Sequence, residues 1–401
     1  MSRRFVITRI ELGGRRPLIC AVCEEHQMLE VNLIPEDEPP QILNSIYVGR
    51  VSQIVKNIGA AFVEIAKGEM CFLPLDDLRD PVYVKHISEK PLVQGDELLV
   101  QIVREPVRTK DAQATTRLSL AGVYSVVTNA DCRVGVSAKI PSERRNRLRE
   151  LAAKAADDRF GLIVRTNAGD ADDEVLLQEI RMLTETFSDI VSHAKGRSLY
   201  SIVYQAPPEY IRLLQNQPLT QLSEVVTDEP AVFSELAAYA KQYPVTGLSD
   251  KLHLYADTQY DLHKLYGIQV QLEHALQKKV WLKSGANLVI EPTEALTVID
   301  VNSSKNVKKR RQEQQYLQVN LEAAKEIARQ LRLRNLSGII IIDFIDMDTD
   351  GDNERLLAAM REYVRHDPVK TEVVDLTKLG LMELTRKKMR RPLHEQVQKS
   401  G

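Results

Sequence analysis

The chain is poor in the features that mark secreted and membrane proteins. It contains 401 residues but only four cysteines, too few for a disulfide framework in a chain of this size. No apolar run approaches the ~20 residues that a membrane-spanning helix needs, and the first residues contain no apolar core of a signal peptide. We therefore expect a reduced, cytoplasmic protein without a membrane segment.

A strong overall charge is also missing. The chain has 54 Lys and Arg against 56 Asp and Glu, which gives a formal net charge of −2. The global charge therefore offers no argument for a nucleic-acid partner, and any such argument must rest on local basic clusters. Basic clusters occur at residues 143–149, 305–311 and 385–391. Taken alone, each is more simply interpreted as a solvated helix face or loop.

The sequence lacks a complete cysteine cluster for a metal. Cys20 and Cys23 form a C-x-x-C pair, but no second pair is present to complete a zinc site. His26 is close in sequence, yet the surrounding residues are typical of a strand in which cysteine fills small apolar positions. We interpret both cysteines as core residues rather than as a metal or redox site.

Two aspartates in apolar segments carry the strongest chemical signal. Asp300 lies in residues 296–302 and Asp343 lies in residues 338–347, both short, rich in Val or Ile and typical of buried strands. A carboxylate within such a strand is costly to bury unless a partner compensates for it. Asn302 shares a strand face with Asp300, because side chains alternate along a strand. Two carboxylates and an amide oxygen predict a Mg²⁺ site suited to phosphoryl transfer.

The residues between these two segments predict how the aspartates meet. Residues 312–334 have the apolar spacing of a helix, with one face formed by Leu317, Leu321, Ala324, Ala328 and Leu331. The order strand, helix, strand implies a right-handed parallel crossover, which places Asp300 and Asp343 on neighbouring strands. Asp346 is expected to face the other side of its strand and to be structural. An alternative in which each aspartate is only structural, satisfied by caps or backbone N–H groups, stays open on the strands alone.

A barrel is predicted before these segments. Residues 45–120 contain five short strand-like runs, at 46–51, 59–65, 70–75, 97–103 and 115–120. Five such strands fit a small barrel of the OB type. Phe62 and Phe72 alternate away from the apolar core positions, where they would either stack on bases or pack under a neighbouring module. Arg104 and Lys110 are expected to hold backbone phosphates.

The regions beyond the barrel indicate mixed α/β structure. Residues 125–200 predict a basic helix near 142–155 and a strand at 161–166, and residues 200–275 continue the mixed pattern. Three segments then resemble the catalytic region of the ribonuclease E/G family in long, nearly uninterrupted matches. They are residues 291–303, 320–334 and 338–347. A weaker similarity extends over essentially the whole chain.

The resemblance implies an α/β architecture of several subdomains. An RNase H-like subdomain would comprise residues 1–42 and 200–275. Inserted into it would be an OB-fold barrel at residues 43–120 and a 5′-sensor region at residues 121–199. A deoxyribonuclease-I-like catalytic subdomain would follow at residues 276–401.

The resemblance also implies an activity, that of a Mg²⁺-dependent endoribonuclease acting in RNA processing and decay. Its substrate would be single-stranded, A/U-rich RNA, favoured when it carries a 5′-monophosphate, and its products would carry 5′-phosphate and 3′-hydroxyl ends. Asp300 and Asp343 match the metal ligands, and Asn302 matches the residue that orients the metal or the scissile phosphate. The alternative is a catalytically inactive RNA-binding or assembly protein on the same fold.

Further positions match RNA-binding residues of the family. Phe62, Phe72 and Lys110 match a groove on the barrel that contacts RNA. Arg165 and Thr166 match the pair that grips a 5′-monophosphate, and Lys370 stands where some members carry arginine at the same phosphate site.

Several positions depart from the family pattern. No cysteine follows Cys132, so the zinc-link of the family is missing and dimerisation through zinc is not expected, while the oligomeric state stays open. Lysine does not reproduce the bidentate contact of arginine, so Lys370, and Ala138 beside Lys139, predict weaker dependence on the 5′ end. Asp111 replaces a common glycine and is expected to weaken the RNA contact near Lys110.

Overall fold

The computed structural model describes residues 3–36, 42–106, 111–243, 247–303, 312–347, 349–365 and 367–400. These residues form a mixed α/β structure that divides into two compact units. The first unit comprises Met1–Asp37, Gln221–Ala237 and Lys251–Gly401, and the second comprises Glu38–Thr220 and Ala238–Asp250.

Strands and helices are numbered along the whole chain. The strands are β1 Arg3–Arg9, β2 Leu18–Glu24, β3 Gln27–Ile34, β4 Ile46–Val55, β5 Ala60–Ala66, β6 Glu69–Pro74, β7 Tyr83–Lys85, β8 Glu97–Arg104, β9 Ala112–Thr115, β10 Ser119–Ala121, β11 Ser125–Thr128, β12 Val134–Val136, β13 Gly161–Val164, β14 Ile202–Tyr204, β15 Leu222–Thr227, β16 Leu252–Leu254, β17 Lys279–Trp281, β18 Asn287–Pro292, β19 Leu296–Asn302, β20 Gly338–Asp343, β21 Thr371–Leu376 and β22 Leu381–Arg386. The helices are α1 Ser142–Ala155, α2 Asp173–Ser192, α3 Glu209–Gln215, α4 Pro230–Gln242, α5 Leu262–Leu265, α6 Ile268–Leu276, α7 Gln312–Leu333, α8 Asp350–Arg365 and α9 Leu393–Ser400.

One sheet of the first unit is built around the N-terminal strands. Its order is β16-β15-β1-β2-β3, with β1 parallel to β15 and antiparallel to β2. Strand β2 is buried along nearly its whole length, and it carries Cys20 and Cys23 as buried free thiols. Burial raises the pKa of the Cys23 thiol to about 12. The interpretation of these cysteines as core residues is therefore confirmed.

The second sheet of the first unit carries the predicted aspartates. Its order is β17-β18-β19-β20-β22-β21, and β19 and β20 are parallel with α7 between them in the chain. The predicted parallel pairing of the two strands, with a helix between them, is therefore confirmed. Helices α7 and α8 cover one face, where alternate strand residues join the helices in one apolar core. Core residues from the sheet include Leu288, Ile299, Val301, Ile340 and Ile342.

A closed barrel forms the first part of the second unit. The strand order is β14-β4-β5-β6-β9-β8-β7, and a further pairing of β4 with β8 closes the ring. The prediction of an OB-like barrel is confirmed, but the predicted strand at 115–120 is wrong. Strand β9 ends at Thr115 and β10 joins another sheet, because Thr115 Oγ1 accepts the Arg117 N–H and the chain turns there.

The remaining sheet of the second unit has the order β10-β11-β13-β12 and packs with helices α1 and α2. Helix α1 matches the predicted basic helix. Strand β13 begins where the predicted strand at 161–166 begins and ends two residues earlier, at Val164. In the described residues, no helix combines the length and apolarity that crossing a membrane requires. The subdomain boundaries implied by the resemblance stay predictions.

Candidate active site

Asp300 and Asp343 come together at the ends of two parallel strands. They are register partners in the β19–β20 pair, and β20 ends at Asp343. Residues paired across neighbouring strands point to the same face and lie roughly 5 Å apart along the sheet. Because the carboxyl ends of parallel strands meet at one edge, the two carboxylates share the position where open α/β sheets bind their ligands.

The burial of the two carboxylates differs from what the apolar segments predict. Asp343 is exposed, because it is the last residue of β20, and Asp300 is half-buried two residues before the end of β19. The expectation that these carboxylates are buried inside apolar strands is therefore wrong. Their mutual charge still matters: burial raises the pKa of Asp343, and the neighbouring charges of Asp300 and Asp346 raise it further.

Asn302 completes the group on the same face. Its Nδ2 atom donates a hydrogen bond of 2.5 Å to Oδ2 of Asp300. The side chain is exposed at the last position of β19. This bond fixes the orientation of the Asp300 carboxylate relative to the strand end.

Asp346 lies beyond the end of β20. Side chains alternate only along a continuous strand, and β20 ends at Asp343, so strand alternation places no constraint on Asp346. Asp346 is exposed, and its charge contributes to the raised pKa of Asp343. The expectation that it faces away from the site is therefore not supported by its position in the fold.

The donor set fits a hard divalent cation. Within the described part of the chain, no three His, Cys, Asp or Glu side chains gather as a metal cluster. A cation here would therefore have the two carboxylates of Asp300 and Asp343 and would keep several waters, as Mg²⁺ prefers. Burial raises the pKa of Asp343 and the like charges of Asp300 and Asp346 add to that rise, so a bound cation would offset the charge gathered here.

Asn320 of α7 holds the backbone that follows Asp343. The sequence did not single out this residue. The side chain is fully buried on α7, where Nδ2 donates to the Ile345 carbonyl and Oδ1 accepts from the Ile345 N–H, at 2.8 and 3.1 Å. These two bonds fix the chain immediately after Asp343. An asparagine within the apolar stripe of a helix is the signal that points to such a role.

The two barrel phenylalanines lie side by side on the outer face. Phe62 and Phe72 are register partners on β5 and β6, and their ring centroids are 6.0 Å apart at an angle of 78°. Both are half-buried, while the alternate positions point into the barrel core. The predicted outward orientation is confirmed, and neither ring is fully covered by another part of the protein.

The predicted basic residues of the barrel are only partly described. Arg104 is exposed at the end of β8, where it pairs in register with Gln113 of β9. Lys110 lies outside the described residues. Asp111 is exposed at the start of the next described segment.

Arg165 is held rigidly in the second unit. Its guanidinium donates hydrogen bonds to the carbonyls of Gly122 and Gln215 and to Oδ1 of Asn216. Burial lowers the pKa of Arg165, and the nearby Glu179 carboxylate acts in the opposite direction. Because arginine stays protonated in proteins, the site retains a fixed positive charge.

Thr166 and Lys370 have different surroundings. Thr166 is exposed next to Arg165, and its hydroxyl lies 2.8 Å from that of Ser137. Lys370 belongs to the first compact unit, where it is exposed and forms an ion pair of 2.7 Å with Glu372. An exposed ion pair of this kind is weak, so Lys370 can leave Glu372 to bind another anion.

Glu179 organises the segment that contacts Arg165. This buried carboxylate on α2 accepts hydrogen bonds from the N–H groups of Val123, Tyr124 and Ser125. A Cβ atom at Gly122 would lie 2.5 Å from the Glu179 carboxyl carbon, so only glycine fits there. Burial raises the pKa of Glu179, and these hydrogen bonds oppose that shift.

Comparison with known proteins gives consistent results. The family model for "Ribonuclease E/G family" matches residues 119–389. Ribonuclease G of Haemophilus influenzae is 36% identical over 385 residues, covering 93% of this chain and 78% of that protein. Ribonuclease G of Escherichia coli is 34% identical over 361 residues, covering 87% and 73%. Ribonuclease E of a Nostoc species is 32% identical over 390 residues, covering 93% of this chain and 56% of that protein.

Proposed function

The chain belongs to the ribonuclease E/G family, and on that basis we propose that it is a Mg²⁺-dependent endoribonuclease acting on single-stranded RNA. The observation that carries the proposal is the register pairing of Asp300 with Asp343 at the ends of parallel strands. Relatives that cover most of the chain are named as ribonucleases, which supports RNA as the substrate.

The residues of the site have distinct roles in this proposal. Asp300 and Asp343 hold Mg²⁺, and Asn302 keeps the Asp300 carboxylate in the orientation for binding. Asn320 fixes the chain that follows Asp343, so that the two carboxylates keep their spacing. Mg²⁺ held by these two carboxylates would supply activation of a water and compensation of the charge on the phosphate oxygens. Hydrolysis leaves a 5′-phosphate and a 3′-hydroxyl.

RNA binding is assigned to the second unit. Phe62 and Phe72 offer paired aromatic surfaces for bases of A/U-rich single strands, and Arg104 offers a charge for the backbone. Arg165 and Thr166 bind a 5′-monophosphate. Because Arg165 is already held by three hydrogen bonds, its charge is in place before the RNA arrives. The enzyme then acts in RNA processing and decay in the cytoplasm.

A cleavage assay tests this function. A short A/U-rich RNA with a 5′-monophosphate or a 5′-hydroxyl is incubated with Mg²⁺ or with EDTA. We expect cleavage only with Mg²⁺, faster for the monophosphate, and reduced by more than roughly 100-fold in Asp300→Asn and in Asp343→Asn. Asp375→Asn is the matched control, because Asp375 is an exposed aspartate on β21 of the same sheet.

One outcome would replace the proposal with its alternative. Tight RNA binding without cleavage, unchanged by either substitution, identifies an RNA-binding protein that has lost hydrolysis. Cleavage that continues in EDTA contradicts the metal site.

A further inference from the structure

The only tryptophan of the chain stands exposed on the catalytic sheet. Trp281 is 66% exposed on β17, the edge strand of the sheet that carries Asp300 and Asp343. A single exposed apolar residue needs no special explanation. What distinguishes Trp281 is the position of its ring relative to the two carboxylates and to its basic neighbours.

The strand register places Trp281 on the same face as the carboxylates. Trp281 pairs with Asn287 of β18, and Asn287 pairs with Asn302 of β19. Paired residues of antiparallel neighbours point to the same face of a sheet. Trp281 is therefore two strands from Asn302, roughly 10 Å at the usual strand spacing.

A second row of register partners places Lys279 on the same face as the two carboxylates. Lys279 pairs with Val289, and Val289 pairs with Asp300, whose own partner on the next strand is Asp343. This face is opposite the one that α7 and α8 cover, since the alternate residues Leu288, Ile299 and Val301 belong to the helix-covered core. Lys279, Trp281 and the carboxylates thus lie on one face of the sheet, and Lys279, Trp281 and Asp343 are exposed there.

The immediate surroundings of the ring are basic. The Lys279 ammonium lies 4.1 Å from the centre of the Trp281 ring, in cation–π contact. Lys278 and Lys283 flank the same short strand and are exposed, although Lys278 forms an ion pair with Glu291. An aromatic ring among lysines matches the way proteins bind single-stranded nucleic acid, in which rings stack on bases and cations follow the backbone.

We propose that Trp281 and Lys279 form a nucleotide subsite on the catalytic sheet. The ring of Trp281 stacks on a base of the RNA that flanks the scissile phosphate, and the ammonium of Lys279 contacts a backbone phosphate. The inference rests on the proposed function, because that function puts RNA on this face. The positive charge beside the ring suits a polyanion better than a second copy of this chain.

Fluorescence tests the stacking, because Trp281 is the only tryptophan and reports from this position alone. Full-length Asp300→Asn protein, used to prevent cleavage, is titrated with a short A/U-rich RNA carrying a fluorescent label at its 3′ end. We expect quenching of the tryptophan emission that saturates along the same curve as the anisotropy of the label. RNA binding that leaves the emission unchanged overturns the inference.

The same titration separates this inference from the proposed function. Unchanged emission, with normal RNA binding and normal cleavage by the unsubstituted protein, rejects the subsite but keeps the nuclease. Quenching together with tight binding, but without any cleavage by the unsubstituted protein, supports stacking of RNA on Trp281 and rejects the nuclease. Emission that changes with protein concentration alone, and not with RNA, identifies a contact between copies and overturns the inference. Absence of RNA binding overturns both.

Substitutions give a second readout. We expect Trp281→Ala to weaken RNA binding by roughly fivefold or more, and Trp281→Phe to recover part of that loss because a ring remains. Lys279→Ala should weaken binding and reduce the slope of log affinity against log salt by about 1. Tyr260→Ala is the matched control, because Tyr260 is an aromatic residue of the first unit that is 51% exposed and lies outside this sheet.

Both readouts must agree for the inference to stand. Trp281→Ala should keep the melting temperature of the unsubstituted protein, because the ring is exposed on an edge strand. If Trp281→Ala bound RNA with the same affinity as the unsubstituted protein, the subsite would be overturned.

Discussion

The two ends of strand β20 contain charged groups in opposite arrangements. At its first residue, Gly338 pairs with Arg386 of β22, whose guanidinium is buried against Asp367 with both side chains 3% exposed. At its last residue, Asp343 pairs in register with Asp300, and among the described residues neither carboxylate forms an ion pair. The same strand therefore begins at a neutralised ion pair and ends at two like charges.

The first arrangement is fully satisfied by hydrogen bonds. Arg386 donates to both oxygens of Asp367, at 2.7 and 3.2 Å, and to Oδ1 of Asn335 and the Leu336 carbonyl, each at 3.0 Å. Asp367 accepts further bonds from the Val369 N–H and the Thr371 hydroxyl. Such a network fixes the fold at that end of the sheet and leaves no capacity for a ligand.

The carboxylates of Asp300 and Asp343, by contrast, remain available to a ligand. Burial and, after it, the like charge of Asp300 raise the pKa of Asp343, and Asp343 stays exposed where β20 ends. Uncompensated like charges of this kind are a mark of functional sites rather than of structural ion pairs. The difference between the two ends predicts that substitutions will separate stability from activity.

The largest expected effect is on stability, at the buried ion pair. Arg386→Met removes the partner of Asp367 and leaves a buried carboxylate without its counter-charge, which should lower the free energy of unfolding by about 3–5 kcal/mol. Chemical denaturation measures this directly. Arg365→Met is the matched control: Arg365 is 69% exposed, and the loss of its pair with Glu362 should cost less than about 1 kcal/mol.

The next effect is expected at the other end of β20, where a substitution should lower activity and not stability. Asp343→Asn should reduce Mg²⁺-dependent RNA cleavage by more than roughly 100-fold while the free energy of unfolding does not fall. The physical reason is that a neutral side chain removes the repulsion with Asp300 and Asp346. Loss of activity accompanied by a large loss of stability would mean that Asp343 is structural.

A smaller effect is expected at the support beneath the site. Asn320→Ala removes two buried hydrogen bonds to Ile345 and should lower the free energy of unfolding by about 1–3 kcal/mol. Cleavage should fall by roughly tenfold, since the chain following Asp343 loses its anchor. Gln318→Ala, an exposed position on the same helix, should change neither quantity. A drop in stability without any change in cleavage would limit Asn320 to a structural role.

The smallest effect is stabilisation by the cation itself. Mg²⁺ at a few times its dissociation constant should raise the free energy of unfolding by about 1 kcal/mol, because it binds only the folded arrangement of Asp300 and Asp343. Calorimetric melting with and without Mg²⁺ measures the change. Asp300→Asn should abolish it, and an equal Mg²⁺ effect in that variant would place the cation elsewhere.

The sequence predicts the catalytic sheet well where a local pattern carries the information. The apolar spacing on α7 and the apolar segments on either side were sufficient to predict the parallel crossover, and alternation was sufficient to orient Phe62 and Phe72. The predicted strand at 115–120 failed because two threonine hydroxyls and a turn interrupt it, which hydrophobicity does not reveal.

Other features depend on contacts that no local pattern encodes. The exposure of Asp343 depends on where β20 ends, and that end is fixed partly by Asn320, 23 positions earlier in the chain. The pairing of Arg386 with Asp367 joins residues 19 positions apart in a buried environment. The basic cluster at 143–149 was interpreted most simply as a solvated face, yet Arg144 and Arg147 both bind Asp173 of α2.

The central claim is that Asp300 and Asp343 act as one hydrolytic site. The most direct test compares single-turnover cleavage by Asp300→Asn, by Asp343→Asn and by the double variant, all with Mg²⁺. Because two ligands of one cation act as a unit, the double variant should lose no more activity than the more affected single variant. Losses that multiply in the double variant, or cleavage that persists in either single variant at the original rate, would contradict the account.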